Sequence, residues 1–467
     1  MIDSVLYRTL VPDAPLHRRT EADPGTARGR ERRTAVLGAT APTPGLDKPR
    51  LNSSWQGRIE QLLLCLPAWG TGDRATAAGY RSVISAMRPG TEFVVVHATQ
   101  QRATVEAWFR QAGHAEVTYV PLPEYVSFTD WAEDAYVALT DASDGSAYLM
   151  EPWEFLRAGD ALIADAVEEY TDIRSAQAPL IFQGGNCLIG DDFWLLGTDY
   201  FADTITLLRG GRPPVAVPDG DLDGFVRGLF HDYVDAAREL RLVGTRRPIA
   251  VRDLVGRREG GEYFLDLPSD GVGAFQPIFH IDMFVTLAGR RDGRFTVLVG
   301  DPSMADSMLG TTSPYCLADV YDQIARGFAG AGMGVVRNPL VHRPTRGRAF
   351  TVAELRRIAE REGDAALLEA VAELIGLGAG DDIRVTVRTW HHVTWNNCLV
   401  EDSAAEGRHV YLPTYGGGAP DLAALDAHMA TLWEGLGYTV HPLADFGSFA
   451  RRQGVVHCIK KYLRRGD

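Results

Sequence analysis

An α/β fold is the class this sequence predicts, on three observations. From about residue 55, short apolar runs rich in β-branched residues alternate with segments whose apolar residues recur at helical spacing. Two of the helical segments carry their own start or stop signals, a Thr/Glu capping box and an Asp/Gly pair. The composition is that of an ordinary globular protein, 45% hydrophobic and 23% charged, and 467 residues are enough chain for a large core.

Residues 1–50 stand apart from that pattern. Pro12, Pro15, Pro24, Pro42, Pro44 and Pro49, with the basic cluster between Arg28 and Arg33, leave little to build a core from. The segment therefore reads as a flexible, Pro/Arg-rich N-terminal stretch, and residues 51–467 as a single domain. Ile59–Leu66 and Phe93–Ala98 are strand-compatible, Val105–Gln111 reads as a short helix, and Phe128–Tyr136 as an acidic loop flanked by aromatics. Helices are predicted over Asp160–Ser175, with Leu162, Ile163, Ala166, Val167 and Tyr170 on one face, and over Asp221–Leu242. Thr351 and Glu354 cap a helix running to about Gly376. Asp421 caps another, with Leu422, Leu425, Met429, Leu432 and Leu436 apolar and Gly437 as its stop. Strands are predicted at Trp194–Gly197, Phe295–Gly300, Ile383–Trp390, His409–Tyr415 and Tyr438–Pro442.

Charge and cysteine usage narrow the function classes. A formal charge of -14 disfavours nucleic acid as a partner and mildly favours a cationic ligand. Cys65, Cys187, Cys316, Cys398 and Cys458 are widely spaced, odd in number and without a CxxC, which argues against both a disulfide framework and a zinc ribbon. A reduced, cytoplasmic setting is the expectation. No signal peptide is expected, and no apolar run approaches the roughly 18 residues of a membrane span.

The stretches able to carry chemistry are separate in the chain. Val455–Ile459 reads as a strand, which puts Val456 and Cys458 on one face and His457 on the other; Cys458 is either a nucleophile served from elsewhere or a buried core thiol. His280–Leu287 alternates, so His280 and Asp282 are expected on one strand face about 7 Å apart. Gln183–Cys187 looks like a strand, in which two glycines permit close backbone approach to a ligand or else mark a bulge or tight turn. Trp395–Glu401 brings amides into an apolar strand, to reach a substrate or to satisfy loop backbone. Tyr415–Gly418 lacks the lysine and spacing of a phosphate-binding loop.

Taken in order, Trp131–Asp134, Gly184-Gly185-Asn186, His280–Asp282, Asn396-Asn397 and the segment from Asp445 to Cys458 resemble the guanidine-modifying superfamily, the penteins. The chain is most similar there to the catalytic domain of protein arginine deiminases, over roughly residues 120 to 465. The resemblance implies a pseudo-fivefold β/α propeller occupying residues 51–467. It further implies hydrolysis of a guanidino group, carried by arginine in a peptide or by a modified arginine, to ammonia and a citrulline-type product. Cys458 would be the nucleophile, His280 the acid and base, and Asp134 and Asp282 the carboxylates that grip the guanidinium by paired charge-assisted bonds. Trp131, Gln183, Asn186 and Asn397 would line the substrate. No metal or organic cofactor is needed. An amidinotransferase would use the same thiol intermediate, and a cysteine peptidase would need an oxyanion hole and an imidazole, His280 or His441, beside Cys458. Two departures stand out. Gln183 sits where many small-molecule members carry an acid, and Val137 sits where the calcium-dependent enzymes carry one, so calcium independence is expected. Lys460, Lys461, Arg464 and Arg465 are basic, as in the protein-directed members that the chain resembles, or are simply a solvated tail.

Overall fold

The computed structural model describes residues 10, 43, 45–155, 157–213, 215–268 and 273–466. Most of the segment expected to be flexible, 1–50, lies outside the described residues. Its last part is in the fold, because β1 (Pro49–Leu51) pairs antiparallel with residues 139–141.

Next come β2 (Arg58–Leu66), α1 (Arg74–Ala86), β3 (Glu92–Ala98), α2 (Arg102–Ala112) and β4 (Val117–Leu122), with the three strands parallel. Leu62 to Leu66 and Val94 to Val96 have no exposed surface. A parallel sheet covered on both faces demands such unbroken apolar runs, each fully buried leucine or valine being worth about 1.5–3 kcal/mol.

From β5 the chain repeats one unit, an antiparallel strand pair, a helix, and a third strand parallel to the second. The first copy is β5 (Val137–Asp141), β6 (Ala147–Glu151), α3 (Ile163–Tyr170) and β7 (Arg174–Gln177). The next is β8 (Cys187–Ile189), β9 (Phe193–Gly197), α4 (Thr198–Arg209), α5 (Leu222–Tyr233) and β10 (Glu239–Val243). An added hairpin, β11 (Val255–Glu259) and β12 (Glu262–Leu267), precedes the third copy. That copy contains β13 (Val285–Arg291), β14 (Arg294–Asp301), α6 (Pro302–Leu309), α7 (Ala318–Gly330) and the long β15 (Gly334–Thr351). After α8 (Val352–Glu362), α9 (Ala365–Gly376) and β16 (Arg384–Thr394), the fourth copy is β17 (Leu399–Ser403), β18 (Gly407–Thr414), α10 (Ala423–Gly435) and β19 (Thr439–Asp445). Finally β20 (Lys460–Gly466) runs antiparallel to β2, and with α1 and β3 it completes a fifth unit from the two ends of the described chain. Closure of this kind covers a sheet edge that would otherwise be open. The hairpin β11–β12, the outer parts of β15 and β16, and α8 and α9 enclose a side core that includes Leu265, Leu355, Leu367 and Val385.

Several predicted helices are shorter than the periodicity suggests. The one expected over Asp160–Ser175 stops at Tyr170, where the Thr171 hydroxyl bonds back to the Val167 carbonyl and Arg174–Gln177 enters the sheet beside β6. The one expected to Leu242 stops at Tyr233, because buried Asp235 collects the backbone N–H groups of Leu51, Ala237 and Arg238. The Thr351–Glu354 capping box forms as predicted, but its helix breaks at left-handed Gly363 (φ 67°) and Asp364 caps a second one. Asp421 does not cap α10; it pairs with Arg343 instead.

Truncation after Ile459 should remove the closing strand and leave Glu133 buried without its two lysines. The expected outcome is loss of a single cooperative thermal transition followed by near-ultraviolet circular dichroism.

Candidate active site

The first strand of every unit is entered through a turn, and all five turns meet at the centre. Trp131–Asp134 precedes β5, Gln183–Asn186 precedes β8, His280–Asp282 precedes β13, Asn396-Asn397 precedes β17 and His457-Cys458 precedes β20. The turns bond to one another around the ring. Glu133 N–H donates to the Cys458 carbonyl (3.0 Å), Gly184 N–H to the Asp134 carbonyl (3.2 Å), and Ile281 N–H to Asn186 Oδ1 (2.8 Å).

Three strand readings fail here for one reason. Val455–Ile459 is a turn with its strand starting at Lys460, and Gly184–Asn186 and Ile281–Met283 are single 3₁₀ turns. Each segment is apolar or small because it is buried at the centre, and a short buried run has no period that distinguishes strand from turn. The side chains consequently point elsewhere. His457 and Cys458, expected on opposite faces, both reach Asp282 Oδ2, at 2.8 Å from Nδ1 and 3.7 Å from Sγ. His280 and Asp282, expected side by side, diverge, the imidazole turning to Gln183 and Asp134.

The structure brings the predicted site residues together. Asn397 accepts from the backbone N–H groups of His457 (2.8 Å) and Cys458 (3.2 Å) through Oδ1 and donates from Nδ2 to the sulfur (3.2 Å), so it holds the cysteine turn. Asn186 accepts from Ile281 N–H and from Gln276 Nε2 (3.0 Å), which holds the histidine turn. Trp131 packs edge-on to Phe449 and lies 5.1 Å beneath the Arg452 guanidinium, against a Gly454 whose Cβ would fall 2.2 Å from the ring. Gln183 Oε1 accepts from His280 Nε2 (2.7 Å). That bond puts the imidazole proton on Nε2 and leaves a lone pair on Nδ1, 3.7 Å from Asp134 Oδ1. Gly185 is required beside it, since a Cβ there would stand 2.5 Å from Nδ1.

Sequence reasoning missed the surrounding charges. Lys460 and Lys461, read as a solvated tail, are 0% and 4% exposed and grip the two oxygens of Glu133 at 2.8 Å each. Arg157 bonds Asp134 Oδ2 (2.8 Å) and Asp160 (2.5 Å), and nothing in its sequence neighbourhood marked it. Five carboxylates (Asp130, Glu133, Asp134, Asp160, Asp282) are thus grouped with four cationic side chains (Arg157, Arg452, Lys460, Lys461). With all five carboxylates ionised and the thiol and both imidazoles neutral, one negative charge would be in excess.

Burial sets the protonation states. It pushes the Cys458 thiol well up, and Asp282 and Asp134 push it further. Asp282 is driven well up by burial and then by Glu133 and Asp134. Burial raises Asp134 to about 6 despite Arg157. His280 is lowered to about 3, by burial first and Arg157 second, and His457 is lowered well below the usual imidazole range by burial and the nearby lysines. One oxygen of Asp134 is filled by Arg157 and one of Asp282 by His457, while Asp134 Oδ1, Asp282 Oδ1 and His280 Nδ1 are buried without a hydrogen-bond partner.

No protein-family model matches this sequence, and no curated protein matches it. Among solved structures, the agmatine deiminase of Enterococcus faecalis aligns over 91% of this chain and 98% of its own, with 15% identity and a TM-score of 0.52. A structural-genomics target described as an agmatine deiminase aligns over the same shares, at 16% identity and a TM-score of 0.53. This chain has the pentein fold. The five units are the blades of the pentein propeller, and the five turns sit on its axis. Among the described residues no group of three or more His, Cys, Asp or Glu side chains could hold a metal ion, and no helix is long and apolar enough to cross a membrane.

Gln183→Glu tests the imidazole assignment. A carboxylate at that bond favours the charged imidazolium, so the His280 pKa should rise from about 3 by about 1–3 units, measured by nitrogen chemical shifts across a pH titration.

Proposed function

We propose that this chain is a hydrolase that deiminates a guanidino group through a covalent amidino-cysteine intermediate on Cys458. The observation that carries the reading is the set of three unpartnered buried polar atoms, Asp134 Oδ1, Asp282 Oδ1 and His280 Nδ1, at the centre of a site whose five carboxylates outnumber its four cationic side chains. Buried polar atoms are ordinarily satisfied, and a planar monocation rich in N–H donors satisfies all three at once.

The empty site holds its sulfur as a neutral thiol, and the cation reverses the electrostatics that keep it so. Once the guanidinium is seated, the thiol proton is lost and the thiolate attacks the central carbon, forming the C–S bond, with Asn397 Nδ2 stabilising the sulfur charge. The sequence assigned His280 as the first acid. With its pKa near 3 the imidazole enters the reaction neutral, so the proton that the leaving nitrogen needs comes from the thiol and passes through the imidazole. Ammonia departs. His280 Nδ1 then accepts one proton from the attacking water, the C–S bond breaks as the added hydroxyl becomes the ureido carbonyl, the proton on His280 returns to sulfur, and the hydroxyl proton is taken up by the released ammonia as ammonium. Cys458, His280, Asp134 and Asp282 are each 1–2% exposed. So closed a site favours a free guanidino compound, such as the agmatine for which the fold relatives are named, ahead of the arginine in a peptide or modified arginine that the sequence suggests.

Three measurements test this. In a screen of guanidino compounds and arginine peptides read by mass, exchange of one imino group for oxygen identifies deimination, and loss of the whole amidino group identifies transfer. Cys458→Ala should abolish ammonia release from every substrate while the protein stays folded; residual release would displace Cys458 as nucleophile. Binding of the same substrate to Cys458→Ala at pH 6 should release protons, because the pKa values of Asp134 and Asp282 are raised in the empty site and fall when a cation arrives. Calorimetry in buffers of differing ionisation enthalpy reads the number, and proton uptake would contradict the charge assignment.

A further inference from the structure

The proposed chemistry does not use Arg157, yet its guanidinium is buried against the carboxylate assigned to the substrate. It reaches the centre from the connection between β6 and the turn that opens α3. Nη2 donates to Asp134 Oδ2 at 2.8 Å and Nε to Asp160 Oδ2 at 2.5 Å, and the guanidinium lies 4.9 Å from the Phe155 ring centroid. Asp160 in turn accepts from the Thr129 backbone N–H (2.7 Å) and hydroxyl (2.6 Å). Thr129 and Asp134 belong to the same loop, Phe128–Tyr136, so Arg157 and Asp160 hold it at two points. One oxygen of Asp134 is saturated by the staple and the other has no partner.

We propose that Arg157 is a positioning residue for the guanidinium site, one that fills a single oxygen of Asp134 and so leaves the other aimed at one N–H of a planar cation. This rests on the reading of Asp134 as a substrate carboxylate. A guanidinium suits the task because its flat fork holds two carboxylates in fixed directions, whereas an ammonium acts as a point charge. Its charge also opposes the burial that would protonate Asp134. A purely structural staple would hold the turn without altering which electrophiles the sulfur selects.

The test uses Cys458 alkylation by two small probes, 2-chloroacetamidine, a planar cation, and iodoacetamide, which is neutral. The wild-type protein should favour the cation near neutral pH and lose that preference as pH falls through about 6, where Asp134 takes up a proton. In Arg157→Ala the ratio of the two rates at pH 7 should fall about twofold, as the ionised fraction of Asp134 does when its pKa rises by about one from about 6, and its pH dependence should move upward to match. Arg157→Lys should lie between the two. A folded Arg157→Ala protein with unchanged ratio and pH dependence overturns the proposal. If that variant does not fold, Arg157→Lys decides the matter, since an unchanged ratio with the fork removed overturns the proposal equally. Because alkylation requires no turnover, the expected ratios without any guanidino hydrolysis would sink the functional reading and leave the positioning role. Hydrolysis with unmoved ratios would do the opposite.

Discussion

Everything at the centre of this protein depends on keeping an excess of carboxylate away from water. Removing a single unpaired carboxylate from solvent costs several kcal/mol, and here Asp130, Glu133, Asp134, Asp160 and Asp282 are all buried. The chain supplies Arg452, Lys460, Lys461 and Arg157 as counter-charges and stops one short. Protons make up part of the difference, which is why Cys458, Asp282 and Asp134 all hold theirs more tightly than usual. Under the proposed function a substrate cation supplies the missing charge, and the protonation states with and without it then differ.

Propeller closure makes that arrangement possible. Each blade enters its first strand at the axis, so a turn of two to four residues from each of five distant segments meets at one point. Pairing of β20 with β2 brings the last of them, His457-Cys458, into the ring. Glu133 is the clearest example of mutual dependence. Its carboxylate holds the first two residues of β20, and its backbone N–H holds the Cys458 carbonyl. A residue next to the proposed substrate carboxylate therefore also fixes the strand that follows the proposed nucleophile.

Neutral histidines follow from the same burial. Gln183 accepts the His280 proton without carrying a charge, so it orients the ring while leaving the imidazole unprotonated. An acid in its place would add a sixth carboxylate to a centre already short of cations. The amide at this position is thus consistent with the Glu133 carboxylate one turn away, and the two are best understood together.

The α/β class, the strands around Ile59–Leu66, Phe93–Ala98 and Phe295–Gly300 and the capping box at Thr351 were legible in the sequence, because local propensity and periodicity act there without competition. So were the residue types at the centre, since Asp134, His280, Asp282 and Cys458 each lie in a recognisable short pattern. Their directions were not legible. At His280–Asp282 and Val455–Ile459 the apolar character comes from burial on the axis rather than from membership of a sheet, and alternation then predicts faces that do not exist. Lys460, Lys461 and Arg157 were likewise hidden, because a charged side chain is read as solvated until its partner is known. In this chain residue chemistry was written locally, whereas the pairing of charges, the tautomer of His280 and the convergence of His457 and Cys458 on Asp282 arose only when five separate turns were brought within hydrogen-bond distance.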